Sequence, residues 1–181
     1  MHDRLSSGWY SGTLLAMDVR RATESDAEDI RAIYNREVLE TTVTFDLVPR
    51  TLDEQRNYIA QRSGALCVVV AEDDGVITGF GSLSFYRDRP AYRTSVENSI
   101  YTHRDYRGQG VADLIMASLV ERATASGFHA VFARIADAQE ASLALHTKYG
   151  FRLVGIEREV GRKFGRWLDV ALMQLLLDRS A

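Results

Sequence analysis

The chain has 181 residues, with 22 Lys and Arg against 25 Asp and Glu for a formal net charge of −3, and 46% of its residues are hydrophobic. That suffices for one globular domain with a substantial core. No stretch is apolar for long enough to cross a bilayer as a helix, and a slightly acidic chain is not drawn to phosphate backbones, so neither a membrane nor nucleic acid is expected as a partner.

Residues 1–16, "MHDRLSSGWYSGTLLA", lack the apolar core and cleavage pattern of a signal peptide, and they lack the periodicity of the remaining chain. They read as an extension, either a disordered arm or the product of an upstream start codon, ahead of a domain over residues 17–181. Residues 19–22 are expected as a first strand. "SDAEDIRAIYNREVLE" then reads as a helix, with Ser25 and Glu28 spaced as a capping box and Ile30, Ile33, Tyr34 and Val38 on one face. "TTVTF" is an extended or loop segment. Pro49 precedes a second capping pair, Thr51 and Glu54, and a helix to about Arg62. "ALCVVVAE" and "VITGFGSLSFY" are strands joined by Asp74-Gly75, a strong hairpin turn. Cys67, the single cysteine, sits in the first of them; it precludes an internal disulfide, reads as a buried thiol and fits a reducing cytoplasm. "RTSVENSIYTH" is a further strand. A helix over residues 111–126 stops at Gly127. "AVFARIA" is a strand, "EASLALHTKY" a helix stopped by Gly150, and "FRLVGIEREV" and "WLDVALMQLLL" a closing pair of strands. The order mixes antiparallel hairpins with strand–helix–strand crossovers. It predicts a single mixed α/β domain with a central, mostly antiparallel mixed sheet flanked by helices.

The stretch "RGQGVADL" places two glycines at the mouth of a helix, where backbone N–H groups can close around phosphate. A dinucleotide fingerprint needs G-x-G-x-x-G and an acid near the end of the next strand. Here Gly108, Gln109 and Gly110 are followed by Val111, Ala112 and Asp113, and "AVFARIA" contains no acid. A triphosphate loop needs Lys-Ser or Lys-Thr after the glycines, and neither is present. Read from Arg107, the same residues are R-x-x-G-x-A. This resembles the pyrophosphate loop of the GNAT superfamily of N-acetyltransferases, Q/R-x-x-G-x-G/A, although a glycine-rich turn before an ordinary helix would look alike. Small residues let the backbone approach the anion, and the unpaired N–H groups and the positive dipole end of the helix face it. The element order agrees with that superfamily, and "ALHTKYGF" resembles its second signature.

Three longer phrases narrow the resemblance. "IYNREVLETTVTF", "YRDRPAYRTSVENSIYTH" and "REVGRKFGRWLDVALMQL" are similar to segments of phosphinothricin acetyltransferases and their methionine sulfoximine or sulfone relatives. The likeness spans residues 17–176. It implies acetyl-CoA as co-substrate and a small amino-acid-like amine as acceptor. An ammonium must lose a proton before it attacks a thioester; Glu97, on a strand with Val96 and Ile100, is the candidate base, and burial there would raise its pKa. Ile100, Tyr101 and Thr102 are implied to pair through their backbone with the pantetheine arm and to offer a donor to the thioester oxygen. Residues Arg107, Gly108, Gln109, Gly110, Val111, Ala112 and Asp113 are implied to hold the pyrophosphate. His146 occupies a position where a side chain meets the departing sulfur; a proton donor and a structural helix-end histidine are both open. Gln139 stands where the family usually has a cofactor-contacting Asn. Arg87, Asp88, Arg89, Tyr92 and Arg93, with Glu97, Asn98 and Ser99, are expected to bind the substrate, guanidinium forks suiting a carboxylate and a phosphinyl or sulfonyl group. Asp88 departs from the Pro or hydrophobic residue of the relatives. Tyr149 is expected in the core, and Lys163, Phe164, Arg166 and Trp167 in a Gly-flanked turn. The last strands are candidates for a homodimer interface. His2, His103, His129 and His146 show no metal-ligand spacing. An enzyme for another amine (a protein N-terminus, a polyamine, an aminoglycoside) and a non-catalytic acyl-CoA-binding module are the alternatives.

Overall fold

The computed structural model describes residues 17–137 and 139–177; the reading of residues 1–16 as an extension lies outside them. In chain order the elements are β1 (Asp18–Arg21), α1 (Ala27–Glu40), α2 (Leu52–Ala60), β2 (Cys67–Asp73), β3 (Val76–Phe85), β4 (Ser95–Thr102), α3 (Val111–Ala125), β5 (Ala130–Ala136), α4 (Glu140–Lys148), β6 (Arg152–Lys163) and β7 (Arg166–Leu176). This is the expected order.

The seven strands form one sheet, β1-β2-β3-β4-β5-β7-β6. Every neighbouring pair is antiparallel except β4 and β5. The β2–β3 connection is the expected two-residue hairpin, with Asp74 at φ 47° and Gly75 at φ 81°, the left-handed pair that matches strand twist. Each face of the sheet carries its own core. On one, Ile115, Met116 and Leu119 of α3 pack on Val69, Leu83, Val96 and Val131. On the other, Ile30, Tyr34 and Val38 of α1 pack on Val68, Val70 and Phe80. Helix α3 lies very close to β3, because Gly79 presents no side chain: a Cβ there would come within 2.8 Å of Val111 Cγ1 and 2.9 Å of the Tyr101 carbonyl oxygen.

Three local expectations are corrected. The capping pair before α1 is Thr23 and Asp26, not Ser25 and Glu28. Asp26 accepts the Thr23 N–H at 2.6 Å and both guanidinium branches of Arg20, each at 2.8 Å. Thr23 and Asp26 have the same three-residue spacing as Ser25 and Glu28, and the Arg20 contact from β1 favours the first pair; Glu28 instead pairs with Arg31 on the surface. Tyr149 packs against the core beneath α3, as expected, but it is only half-buried and its hydroxyl donates to the Asp113 carbonyl at 2.8 Å. Lys163 and Arg166 end β6 and begin β7, leaving Phe164 (φ 49°) and Gly165 (φ 76°) as the turn.

Candidate active site

Strands β4 and β5 are paired only over Ser95–Glu97 and Ala130–Phe132. Beyond that point β4 stays with β3 as far as Thr102, while β5 stays with β7 as far as Ala136. The two strands therefore splay. The backbone of residues 98–102 has no sheet partner on its β5 side, and a cleft of about 610 Å³ opens there. Unpaired strand N–H and C=O groups facing a cleft are a template for an amide-containing ligand.

At its far end the cleft meets the start of α3. Gly108 and Gly110 are both left-handed, at φ 73° and 85°, and Gly110 caps the helix. The first helical hydrogen bond runs from the Leu114 N–H to the Gly110 carbonyl at 3.1 Å. The N–H groups of Val111, Ala112 and Asp113 thus have no acceptor within the helix and point toward the cleft mouth. The Asp113 carboxylate is neutralised by Lys148 of α4. Arg107 donates to Glu37 of α1 at 2.8 Å, and Glu37 also receives Arg104 at 3.4 Å and Thr41 at 3.0 Å. Glu37 is 3% exposed and lines the cleft.

Glu97 stands where the two strands part. It is half-buried, beside Phe132 in the parallel register and across from Ser84. Burial pushes its carboxyl up from the ordinary carboxylate value; Arg134 opposes this and Glu157 reinforces it. Arg134 is itself engaged by Glu157 at 2.5 Å. A carboxylate so placed can take a proton at a pH where an ordinary glutamate holds it less readily. Tyr86 stacks on Phe132 with ring centroids 4.0 Å apart, which anchors the arginine-rich loop to this side of the sheet.

His146 lies on the other face, 5% exposed, on the wall formed by α4. Its Nδ1 lies 2.7 Å from the Ser142 carbonyl and its Nε2 3.2 Å from Asn98 Nδ2. Burial lowers its pKa, so the ring is neutral at neutral pH.

Most of the residues expected at the cofactor therefore meet in one place: Ile100, Tyr101, Thr102, Arg107, Gly108, Gly110, Val111, Ala112, Asp113, Gln139 and His146 all line the cleft. Gln109 does not; its side chain donates to the Asp105 carbonyl at 2.9 Å and braces the loop. Of the substrate candidates, Asn98 and Ser99 line the cleft. Arg87, Asp88, Arg89, Tyr92 and Arg93 are exposed on the β3–β4 connection outside it. Sequence reading missed Glu37, Thr41, Val43, Tyr106 and Arg134. Glu37 left a trace: it continues the apolar stripe of α1, and a carboxylate on a core-facing stripe needs a partner. Among the described residues no group of three or more His, Cys, Asp or Glu is placed to hold a metal.

A split sheet whose opening runs from a desolvated carboxylate to an anion-binding helix start defines an acyl-CoA-dependent transferase. Residues 19–172 match the model of the acetyltransferase (GNAT) domain. The chain is 42% identical over 159 residues to phosphinothricin N-acetyltransferase of Streptomyces coelicolor, covering 86% of this chain and 93% of that protein. It is 36% identical over 171 residues to the L-methionine sulfoximine/L-methionine sulfone acetyltransferase of Pseudomonas paraeruginosa, covering 92% and 99%. Among solved structures, a phosphinothricin acetyltransferase from Sinorhizobium meliloti in complex with acetyl-CoA superposes with a TM-score of 0.86 at 37% identity, covering 89% of this chain and 88% of that one. The chain belongs to the GNAT acetyltransferase family and is an acetyl-CoA-dependent N-acetyltransferase.

The residues present fit that co-substrate. The free N–H groups at the start of α3 suit its pyrophosphate, and the unpaired backbone of Ile100–Thr102 suits its amide arm. When bound, acetyl-CoA supplies the activated acyl group.

Proposed function

We propose that the protein acetylates the amino group of a small amino-acid-like substrate such as phosphinothricin, methionine sulfoximine or methionine sulfone. The observation that carries this reading is the parting of β4 from β5 directly after half-buried Glu97, with the cleft running from there to the start of α3. Glu97 takes the proton from the incoming ammonium, directly or through one water, and the backbone at Ile100–Thr102 orients the acyl group. Pyrophosphate is held by Arg107, Gly108, Gly110, Val111, Ala112 and Asp113, and Gln139 faces the cofactor from the opposite wall. Arg87, Arg89 and Arg93, with Tyr92 and Ser99, contact the substrate's anionic groups from the Glu97 side, and Asp88 its ammonium; the Tyr86–Phe132 stack ties their loop to that side. The names of the relatives support the substrate class.

The acetyltransferase domain spans residues 17–181, and the protein acts as a homodimer. The support is β6, a twelve-residue edge strand with Leu153, Val154, Ile156 and Val160 exposed, beside an exposed Trp167 on β7. No helix among the described residues is long and apolar enough to cross a membrane. The lone buried Cys67 and the net charge of −3 fit a cytoplasmic enzyme of small molecules rather than of nucleic acid or membrane surfaces. Acetylation of such antimetabolites would confer resistance to them.

Thiol release from acetyl-CoA with the three amino-acid analogues, a polyamine, an aminoglycoside and a peptide N-terminus tests the reading. Turnover is expected on at least one analogue; turnover confined to another amine, or none at all, rejects it.

A further inference from the structure

Asn98 and His146 form a buried pair in which one polar valence is left over. A carbonyl oxygen can only accept, so the His146 Nδ1, 2.7 Å from the Ser142 carbonyl, carries the ring proton. In a neutral ring Nε2 is then a lone pair, and Asn98 Nδ2 donates to it at 3.2 Å. The second N–H of Asn98 is directed at Met116 Sδ, 3.5 Å away. Asn98 Oδ1 has no donor among the described residues, although Asn98 is only 5% exposed. A buried acceptor without a donor costs free energy until one reaches it.

Asn98 is the first residue of β4 beyond its last pair with β5, so it stands at the apex of the split and lines the cleft. Its side chain is turned toward α3 and α4, away from the face of Glu97. Near the reacting end of acetyl-CoA, the sulfur and carbonyl oxygen only accept, and the amide N–H groups of the arm donate. We propose that Asn98 is a cofactor-binding residue whose Oδ1 accepts an amide N–H of the pantetheine arm, and that His146 holds Asn98 in position rather than giving a proton to the departing sulfur. His146 has no free proton on the cleft side: Nδ1–H is spent on Ser142 and Nε2 is occupied by Asn98. The inference rests on the cleft being the acetyl-CoA site. It does not depend on which amine is acetylated.

The test is calorimetric binding of coenzyme A, without any amine, to the full chain and to Asn98→Leu, which keeps the volume and removes the polar atoms. 3′-Phospho-ADP, the nucleotide end without the amide arm, is titrated in parallel. Coenzyme A should bind about tenfold more weakly to the variant, the worth of one desolvated hydrogen bond, while 3′-phospho-ADP binds equally to both. Unchanged coenzyme A affinity, or an equal loss for both ligands, overturns the binding role. If the leucine variant does not fold, Asn98→Ala serves in the same comparison. Nitrogen-15 spectra of the unmodified protein test the second half: a neutral His146 with its proton on Nδ1 is expected at neutral pH, free and with coenzyme A, and a proton on Nε2 or an imidazolium overturns it.

Discussion

Glu97 and Asn98 are adjacent in the chain, yet their side chains leave β4 on opposite faces of the sheet: Glu97 stands beside Phe132, and Asn98 meets His146 at 3.2 Å. Strand alternation places one residue against the proposed amine side and the next against the helices that wall the cleft. The sequence phrase "VEN" therefore places Glu97 and Asn98 for the two halves of the proposed reaction.

Replacing Glu97 by Gln removes the proton acceptor while keeping size. The turnover number should fall about 10²–10⁴-fold, with coenzyme A affinity unchanged by calorimetry. Because burial raises the Glu97 pKa above its ordinary 4.5, the acid limb of kcat/KM for the unmodified enzyme should lie above that value and be absent from the residual activity of the variant. An unaltered rate would remove Glu97 as the base.

His146 makes stability depend on pH. Its folded pKa lies below the ordinary 6.5 because burial disfavours the charged ring. Between the folded value and 6.5 the unfolded chain binds more protons than the folded one, so stability rises with pH through that window and is lost as pH falls through it. Urea titrations from about pH 5 to about pH 7.5 should show a steeper slope for the unmodified protein than for His146→Gln; equal slopes would contradict the assignment.

Glu37 ties the glycine loop before α3 to α1. Glu37→Gln keeps the shape and removes the charge that receives Arg107 and Arg104. Both arginines remain partly solvated, so the expected loss is about 1–2 kcal/mol rather than the larger cost of a fully buried pair, read as a lower Tm.

Gly79 sets the distance of α3 from the sheet. Gly79→Ala brings a Cβ into Val111 and the Tyr101 carbonyl. A cost of about 1–3 kcal/mol is expected, together with a larger rise in KM for acetyl-CoA than for the amine, since the displaced end of α3 is the proposed pyrophosphate site. Equal effects on the two substrates would place the strain elsewhere.

Gly161 seats Phe45. A Cβ at Gly161 would lie 2.7 Å from Phe45 Cδ2 and 2.9 Å from its Cζ. Phe45 belongs to the α1–α2 connection, which Lys163 also grips through the Thr44 carbonyl at 2.8 Å and from which Val43 lines the cleft. Gly161→Ala should weaken coenzyme A binding several-fold, because Val43 lines the same cleft as the proposed cofactor residues; unchanged coenzyme A affinity would contradict it.

Periodicity and punctuation made the elements legible. Thr51 with Glu54, Asp74-Gly75, Gly127 and Gly150 act on their immediate neighbours, so the boundaries they mark can be read locally. The Ser25–Glu28 pair misled because Thr23 and Asp26 offer the same spacing two residues earlier, and it is Asp26 that Arg20 binds with both guanidinium branches. In the site, the glycine loop was visible because its chemistry is carried by backbone conformation. The Glu37 partners, the Arg134–Glu157 pair beside Glu97 and the Lys163–Thr44 bond join segments far apart in the chain, and no spacing encodes them.

By itself the sequence determined the element order, the glycine-flanked start of α3 and the strand that bears Glu97, because short-range backbone preferences and alternation act within a few residues. Only the tertiary structure decided that β4 and β5 part after Glu97, that Asn98 turns toward His146, and that Arg87, Arg89 and Arg93 stay outside the cleft. Those outcomes depend on which strands pair and for how long, and pairing is settled by packing across the whole sheet rather than by any one segment.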